Sequence, residues 1–364
     1  MTPIKPEIKA ANYFPALTGV RAIAAFMVFF HHFNPVNESV FGQGIRNFVN
    51  EFHIGVTVFF VLSGFLIAYR YLDSEKLNFR KYMVNRIARI YPMYFILTSA
   101  TFLLFFIFHE KNSILDLALY LYNISFLKGF FNELKFSGIS QGWSLTVEEV
   151  FYLAAPLFFF FIRKNKIYLF ILPCIIISLG LLMVAAFKNN TGHGFFQNNY
   201  FLFNYTFLGR CTEFFIGISL ALLYKKFGDV RRINWATYSG IAVMCICLIA
   251  LSLLKGDNKY GIMHPFGIVI NNFILPACGI ALLFWGLLTE KTIIQKILSS
   301  RLFIVLGKSS YLFYLIHLGI IQQGIYNHVT TNLYLEFILI NIIAFLLFKT
   351  LEEPLNNYIR KRFA

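Results

Sequence analysis

Windows of about 20 mostly apolar residues recur near 17–36, 53–71, 88–108, 142–162, 167–187, 204–224, 233–254, 266–288, 302–322 and 333–350, each long enough to cross a bilayer as a helix. Within hydrocarbon every backbone N–H and C=O must find a partner in the chain itself. The pattern therefore predicts an all-α, polytopic integral membrane protein of about ten spans. The charged fraction is only 13%, about half that of a soluble domain.

The net charge of +15 raises the question of a nucleic-acid partner. The basic residues fall in short clusters between apolar windows instead of along one amphipathic surface, so no nucleic acid is expected and membrane orientation accounts for them. With the N-terminus inside, the cytoplasmic segments hold roughly 22 Lys and Arg against roughly 7 on the other side, and an even number of spans returns the C-terminus to the cytoplasm.

The first apolar segment carries Arg21 and His32 and lacks a small-residue cleavage pattern, so it is read as the first span and not as a removable leader. No Gly/Ser-rich or Pro-rich linker interrupts the chain, which reads as one integral domain over 1–364. Cys174, Cys211, Cys245, Cys247 and Cys278 sit inside predicted spans without metal-site spacing; no metal is expected and the cysteines are read as packing residues. The connection at 109–141 contains an apolar stretch, 114–127, too short to span, and is expected to roof a cavity at the outer surface. The polar loop at 189–203 suits mobility or hydroxyl-rich ligands.

Ionisable side chains within apolar spans are costly enough to mark working sites. Arg21 and His32 are eleven positions apart, which on a helix is about 16 Å of rise and about 20° past three full turns, so both face the same way. Counting 1.5 Å per residue from the span boundaries sets His32, Glu148 and His317 all about 21–22 Å above the inner edge, from three different helices. An imidazole beside a carboxylate is suited to taking a proton from a hydroxyl, so this trio is the predicted catalytic set. For any one of them alone, an interhelical hydrogen bond is an equal reading. His31 points about 100° away from His32 and is read as a packing or interfacial residue.

Arg86 and Arg89, spaced i,i+3 at the cytoplasmic edge, suit phosphate groups, although positive-inside anchoring explains most such pairs. Ser63 and Gly64 read as small residues for close helix packing; as a nucleophile Ser63 lacks a base in its local sequence.

Six strings, in order, carry a resemblance. They are Leu17-Thr18-Gly19-Val20-Arg21 with His32, Phe59-Phe60-Val61-Leu62-Ser63-Gly64-Phe65-Leu66-Ile67, Arg86-Ile87-Ala88-Arg89-Ile90-Tyr91-Pro92, Trp143-Ser144-Leu145-Thr146-Val147-Glu148-Glu149-Val150-Phe151-Tyr152, Ser310-Tyr311-Leu312-Phe313-Tyr314-Leu315-Ile316-His317, and Glu352-Glu353-Pro354. Together they resemble the membrane acyltransferase 3 family over nearly the full length. The resemblance implies transfer of an acyl group, commonly acetyl, from cytoplasmic acyl-CoA to a carbohydrate hydroxyl at the outer face of a bacterial cytoplasmic membrane. It gives His32 the essential first-helix histidine role, Arg21 that of its paired cation, Arg86 and Arg89 the donor side, and Glu148 that of acidic partner. Some members append an extracytoplasmic hydrolase-like domain; this chain is expected to be of the stand-alone type. The rival class is a proton-coupled secondary transporter of a metabolite or glycan intermediate using His32, Glu148 and His317 as a relay, against which the lack of an evident internal repeat counts.

Overall fold

The structure, a computed structural model, describes residues 13–74, 77–108, 114–189, 192–228 and 235–364. Lys5, Lys9, Lys76, Lys111, Arg231 and Arg232, counted above toward orientation, lie outside the described residues. Helices account for every regular element among the described residues; an isolated bridge pairs Phe131 with Phe195.

In chain order the helices are α1 (Pro15–His32), α2 (Glu38–Asn50), α3 (Gly55–Tyr71), α4 (Phe79–Phe108), α5 (Ile114–Ile124), α6 (Gly142–Lys164), α7 (Tyr168–Phe187), α8 (Asn199–Tyr205), α9 (Phe207–Phe227) and α10 (Ala236–Leu254). They continue with α11 (Pro265–Val269), a π-helical stretch Ile270–Ile280, α12 (Ala281–Thr289), α13 (Ile293–Leu298), α14 (Arg301–Ile316), α15 (Ile320–His328), α16 (Leu333–Leu347) and α17 (Glu353–Phe363). Among the described residues, eight helical segments are long and apolar enough to cross a membrane, nine if α14 and α15 count as one bent span. The remaining sequence window is α1, whose 18 residues extend about 27 Å and include Arg21, His31 and His32.

α1, α3, α9 and α14 form the centre of the bundle. Their contacts depend on missing side chains. A Cβ at Gly64 of α3 would lie 2.2 Å from the Phe214 carbonyl oxygen, and one at Gly217 of α9 would lie 2.1 Å from that of Val61, so the two helices meet backbone to backbone, as expected of small residues in lipid. Gly307 of α14 abuts the Thr18 carbonyl of α1 in the same way. On the periphery, α7 and α10 turn Phe170, Leu182 and Leu253 outward, as helices facing acyl chains do.

The predicted straight span 302–322 is broken. α14 ends at Ile316, Gly319 takes a left-handed φ of +99°, and α15 leaves at 84° to α14. The freed carbonyls at the break are satisfied from elsewhere: Gln141 Nε2 donates to the carbonyls of Tyr314 (3.0 Å) and Leu315 (3.2 Å), and His317 Nδ1 lies 2.7 Å from the Tyr314 carbonyl.

Polar contacts sort the two ends of the bundle. At the basic end Lys225 pairs with Asp73 (2.6 Å), Arg163 donates to the Ser74 carbonyl, and Arg360 Nε donates to Asn85 (2.7 Å). Tyr13 and Arg360 line one cavity there, so the first described residue and the C-terminal helix lie on the same side, as an even number of spans requires.

At the opposite end the connection expected to roof a cavity packs between α4 and α6: Tyr94 donates to the Asn123 carbonyl (3.0 Å), Thr146 donates to that of Phe126 (2.8 Å), and buried Lys128 donates to those of Ser137 and Ile139 (2.6 Å each).

Candidate functional site

A cavity of about 430 Å³ enters the bundle at the basic end. Exposed Tyr13, Arg70, Lys308, Asn357 and Arg360 form its rim, and Phe59, Ser144 and Tyr314 lie at its head. Its wall carries six cationic side chains (Arg21, Arg70, Arg86, Arg89, Lys308 and Arg360) against the carboxylates of Glu148, Glu352 and Glu353. This excess of positive charge in a recess of low dielectric favours an anionic guest.

α1 brings Arg21 into the cavity, α4 brings Arg86 and Arg89, and α6 brings Glu148. Among the described residues, none of the three guanidinium groups makes a hydrogen bond or ion pair; Arg86 stacks over Tyr152 at 5.9 Å, and the Nε atoms of Arg21 and Arg86 are buried without partners. Their forks therefore retain donors for phosphate or carboxylate oxygens. Glu148 accepts from Ser63 (2.7 Å) and from Tyr152 (3.3 Å), and Tyr152 also donates to Ser63 Oγ (3.2 Å). Arg21, Arg89 and Glu148 are close enough to interact electrostatically.

His32 and His317 meet at the other end of the bundle. Their rings stack with centroids 5.4 Å apart and planes 30° apart. His317 is fully buried among Phe29, Phe313 and Tyr314. Its Nδ1 faces the Tyr314 carbonyl, which fixes the proton on that nitrogen and makes Nε2, buried without a partner, an acceptor. His32 is exposed. Tyr314 joins the two regions: its ring lies 5.6 Å from His317 and lines the cavity head, while its hydroxyl is 2.8 Å from Ser144 Oγ.

The predicted set is thus divided. Arg21, Arg86, Arg89 and Glu148 share the cavity; His32 and His317 pair above its head. Glu148 does not join the imidazoles, correcting the single level expected for the trio. The depth count took residue 142 as the outer membrane edge. In the structure Gln141 already sits at the level of Tyr314 and His317, beneath the roof formed by the 125–141 segment, so Glu148 lies about 10 Å deeper, at 1.5 Å per residue. Its neighbour is Arg21, not the histidine above it.

Several contributors were not read as site residues from the sequence. Tyr152 follows Glu148 by four positions and so shares its face, a usable signal. Ser63 lacked a local base, yet α6 supplies a carboxylate. Glu352 lines the cavity with Oε2 buried and unpartnered, and belongs to the Glu352-Glu353-Pro354 string. A buried intramembrane ion pair lies outside the cavity: Arg210 with Glu213 (2.5 Å), tied by Arg210 to Thr57 (2.8 Å) and to the Asn204 carbonyl. It joins α9 to its neighbours with its donors occupied, as a structural pair does.

Comparison with known proteins gives concordant matches. Residues 14–351 match the acyltransferase 3 family model, described as an acyltransferase domain. The chain is 27% identical to the O-acetyltransferase OatA of Staphylococcus aureus strain NCTC 8325 over 98% of its own length, and equally to that of strain COL. It spans about 60% of the length of these relatives. No solved structure matches it.

Proposed function

Because this chain belongs to the acyltransferase 3 family, we propose that it transfers an acyl group, acetyl in the first instance, from cytoplasmic acyl-CoA to a carbohydrate hydroxyl of an exported or cell-surface glycan. The observation that carries this reading is the arginine-lined cavity open at the basic end, which stops at Tyr314 directly beneath the His32–His317 pair. The O-acetyltransferase name of the relatives supports acetyl as the group moved.

In this scheme Arg86 and Arg89, with Arg21 deeper, receive the phosphates of the donor headpiece, and the thin pantetheine arm carries the thioester up past Tyr314. A ring nitrogen of His32 takes the proton of the acceptor hydroxyl as its oxygen attacks the thioester carbonyl carbon. The C–S bond breaks, and the thiolate recovers that proton from the imidazolium to leave as free thiol. His317 lies against His32 and, with its Nε2 unpartnered as an acceptor, assists the proton transfer. Glu148 acts at one remove: it holds Ser63 and Tyr152 and balances Arg21 and Arg89, keeping the guanidinium groups spaced along the donor path.

The test uses the purified full-length chain in lipid nanodiscs with labelled acetyl-CoA and a glycan acceptor. Transfer is expected in the parent protein, with about 42 Da added per modified sugar, and loss of transfer in His32→Ala with folding intact. Full transfer by His32→Ala refutes the role of His32; proton-coupled sugar flux without acetyl-CoA consumption replaces the reading with transport.

A further inference from the structure

Resting on the acyltransferase reading, we propose that His31, His53 and Tyr260 form an acceptor subsite beside His32, on which a pyranose ring stacks and delivers its hydroxyl, and that buried Glu51 holds this subsite in place.

Neither His53 nor Tyr260 lines the donor cavity, and neither falls within the six strings shared with the family. The Tyr260 ring lies 4.8 Å from that of His31 and 6.1 Å from that of His53; His31 in turn lies 4.8 Å from His32 and 5.4 Å from His53. Four rings from three separate segments therefore make one wall around the reacting imidazole. The wall reaches the molecular surface: His32 is exposed, and His31, His53 and Tyr260 are each half-buried. Rings gathered only to fill a core would be enclosed.

The hydrogen bonds give the wall its chemistry. His31 Nδ1 is 2.5 Å from the Asn50 carbonyl, so that nitrogen holds the proton and Nε2 presents a lone pair. His53 Nε2 is 2.9 Å from Glu51, so its proton points into the protein and Nδ1 is left as an acceptor. Two imidazole acceptors beside an aromatic face match a sugar, whose hydroxyls are donors and whose C–H face is apolar. A metal is the other use of grouped histidines, but among the described residues no three His, Cys, Asp or Glu side chains are placed to hold one.

Glu51 gives the subsite its rigidity. It is fully buried, and while one oxygen takes His53, the other accepts from the backbone N–H of Gly261 (2.8 Å), the residue after Tyr260. A single carboxylate thus locks the loop carrying the aromatic face to the turn carrying the imidazole. Glu51 is a positioning residue.

The experiment compares the parent with Tyr260→Ala, Tyr260→Phe and His31→Phe, all full length in nanodiscs. It measures binding of a panel of methyl pyranosides by ligand-observed NMR and, separately, acceptor and donor KM. Tyr260→Ala is expected to lose pyranoside binding and raise the acceptor KM about tenfold or more while donor KM stays within twofold; Tyr260→Phe, which keeps the ring face, is expected to retain binding. Glu51→Gln should raise the acceptor KM in the same direction with kcat less affected. Pyranoside binding unchanged in both Tyr260→Ala and His31→Phe overturns the subsite, as does a parent protein that binds none of the panel. Sugar binding that tracks Tyr260 in a protein that never consumes acetyl-CoA keeps the subsite and sinks the acyltransferase reading, so the two failures are separable.

Discussion

Ser63 of α3 donates a 2.7 Å hydrogen bond to Glu148 of α6, and Tyr152, one turn along α6, reaches both groups. The carboxylate is thereby committed to the wall of the cavity, in electrostatic reach of Arg21 and Arg89. In the proposed scheme it acts on the donor path, so its contribution can be separated from that of the imidazoles.

Glu148→Gln preserves an acceptor for Ser63 but removes the charge balancing two arginines. Transfer is expected to fall by about tenfold, with the acidic limb of the pH–rate profile unmoved, because Glu148 does not touch His32. A limb displaced by the substitution would put the carboxylate back in contact with the imidazole.

His317→Phe fills the same space against Phe29 and Phe313 but eliminates Nε2. The expected result is a kcat lower by about 10²-fold, the scale of a lost acid–base partner, with donor KM held. Wild-type kcat would leave His317 as packing.

Removing Arg86 and Arg89 together should raise the donor KM by more than tenfold, since each charge-assisted contact is worth roughly 1.5–3 kcal/mol. Binding of desulfo-CoA, which carries the phosphates without the thiol, reads this directly. Unchanged affinity would return both residues to membrane anchoring.

Gly64→Ala drives a methyl to 2.2 Å from a backbone carbonyl on α9, where no side chain can yield. A loss of about 1–3 kcal/mol is expected, visible as a lower melting temperature in detergent. Gly44, where an added methyl would meet nothing within 4 Å, is the control and should tolerate alanine.

Lys128 lies in the outer connection, beyond the spanning helices, where burial pushes its ammonium down to about 7. Unfolded, it keeps its proton to about 10.4, so between those values the unfolded chain binds the extra proton and stability rises with pH. From pH 7 to pH 8.5 the connection should gain about 2 kcal/mol, read as slower amide exchange over 125–141. Lys128→Met should flatten that dependence; a slope that survives the substitution places its origin elsewhere.

The spans were legible because a membrane leaves the backbone few options, and the apolar windows report that constraint directly. Gly64 announced a close helix contact for the same reason, and its partner Gly217 is another small residue. Arg86 and Arg89 were legible as an i,i+3 pair at the cytoplasmic edge; that Arg21 joins them depends on packing that brings α1 and α4 to one cavity. Two features were hidden by geometry that does not repeat along the chain. The break after Ile316 depends on a side chain from residue 141, and the level of Glu148 depends on how far the 125–141 segment sinks into the bundle. Helical rise converts residue counts into depth only when the starting level is known, and a sunken loop moves that start. The role of Tyr260 was equally silent, since Glu51 reaches its neighbour Gly261 across 210 positions of sequence.

Tyr314, pinned at its hydroxyl by Ser144, has a further consequence for the cell. If the cavity admits a cofactor arm from the cytoplasm to the foot of His32, as proposed, a shaft open throughout would drain the proton gradient. In the proposed scheme Tyr314, latched by one hydroxyl, is the aromatic group that would have to give way to a slender chain from below and close behind it for the barrier to stay sealed to ions between turnovers.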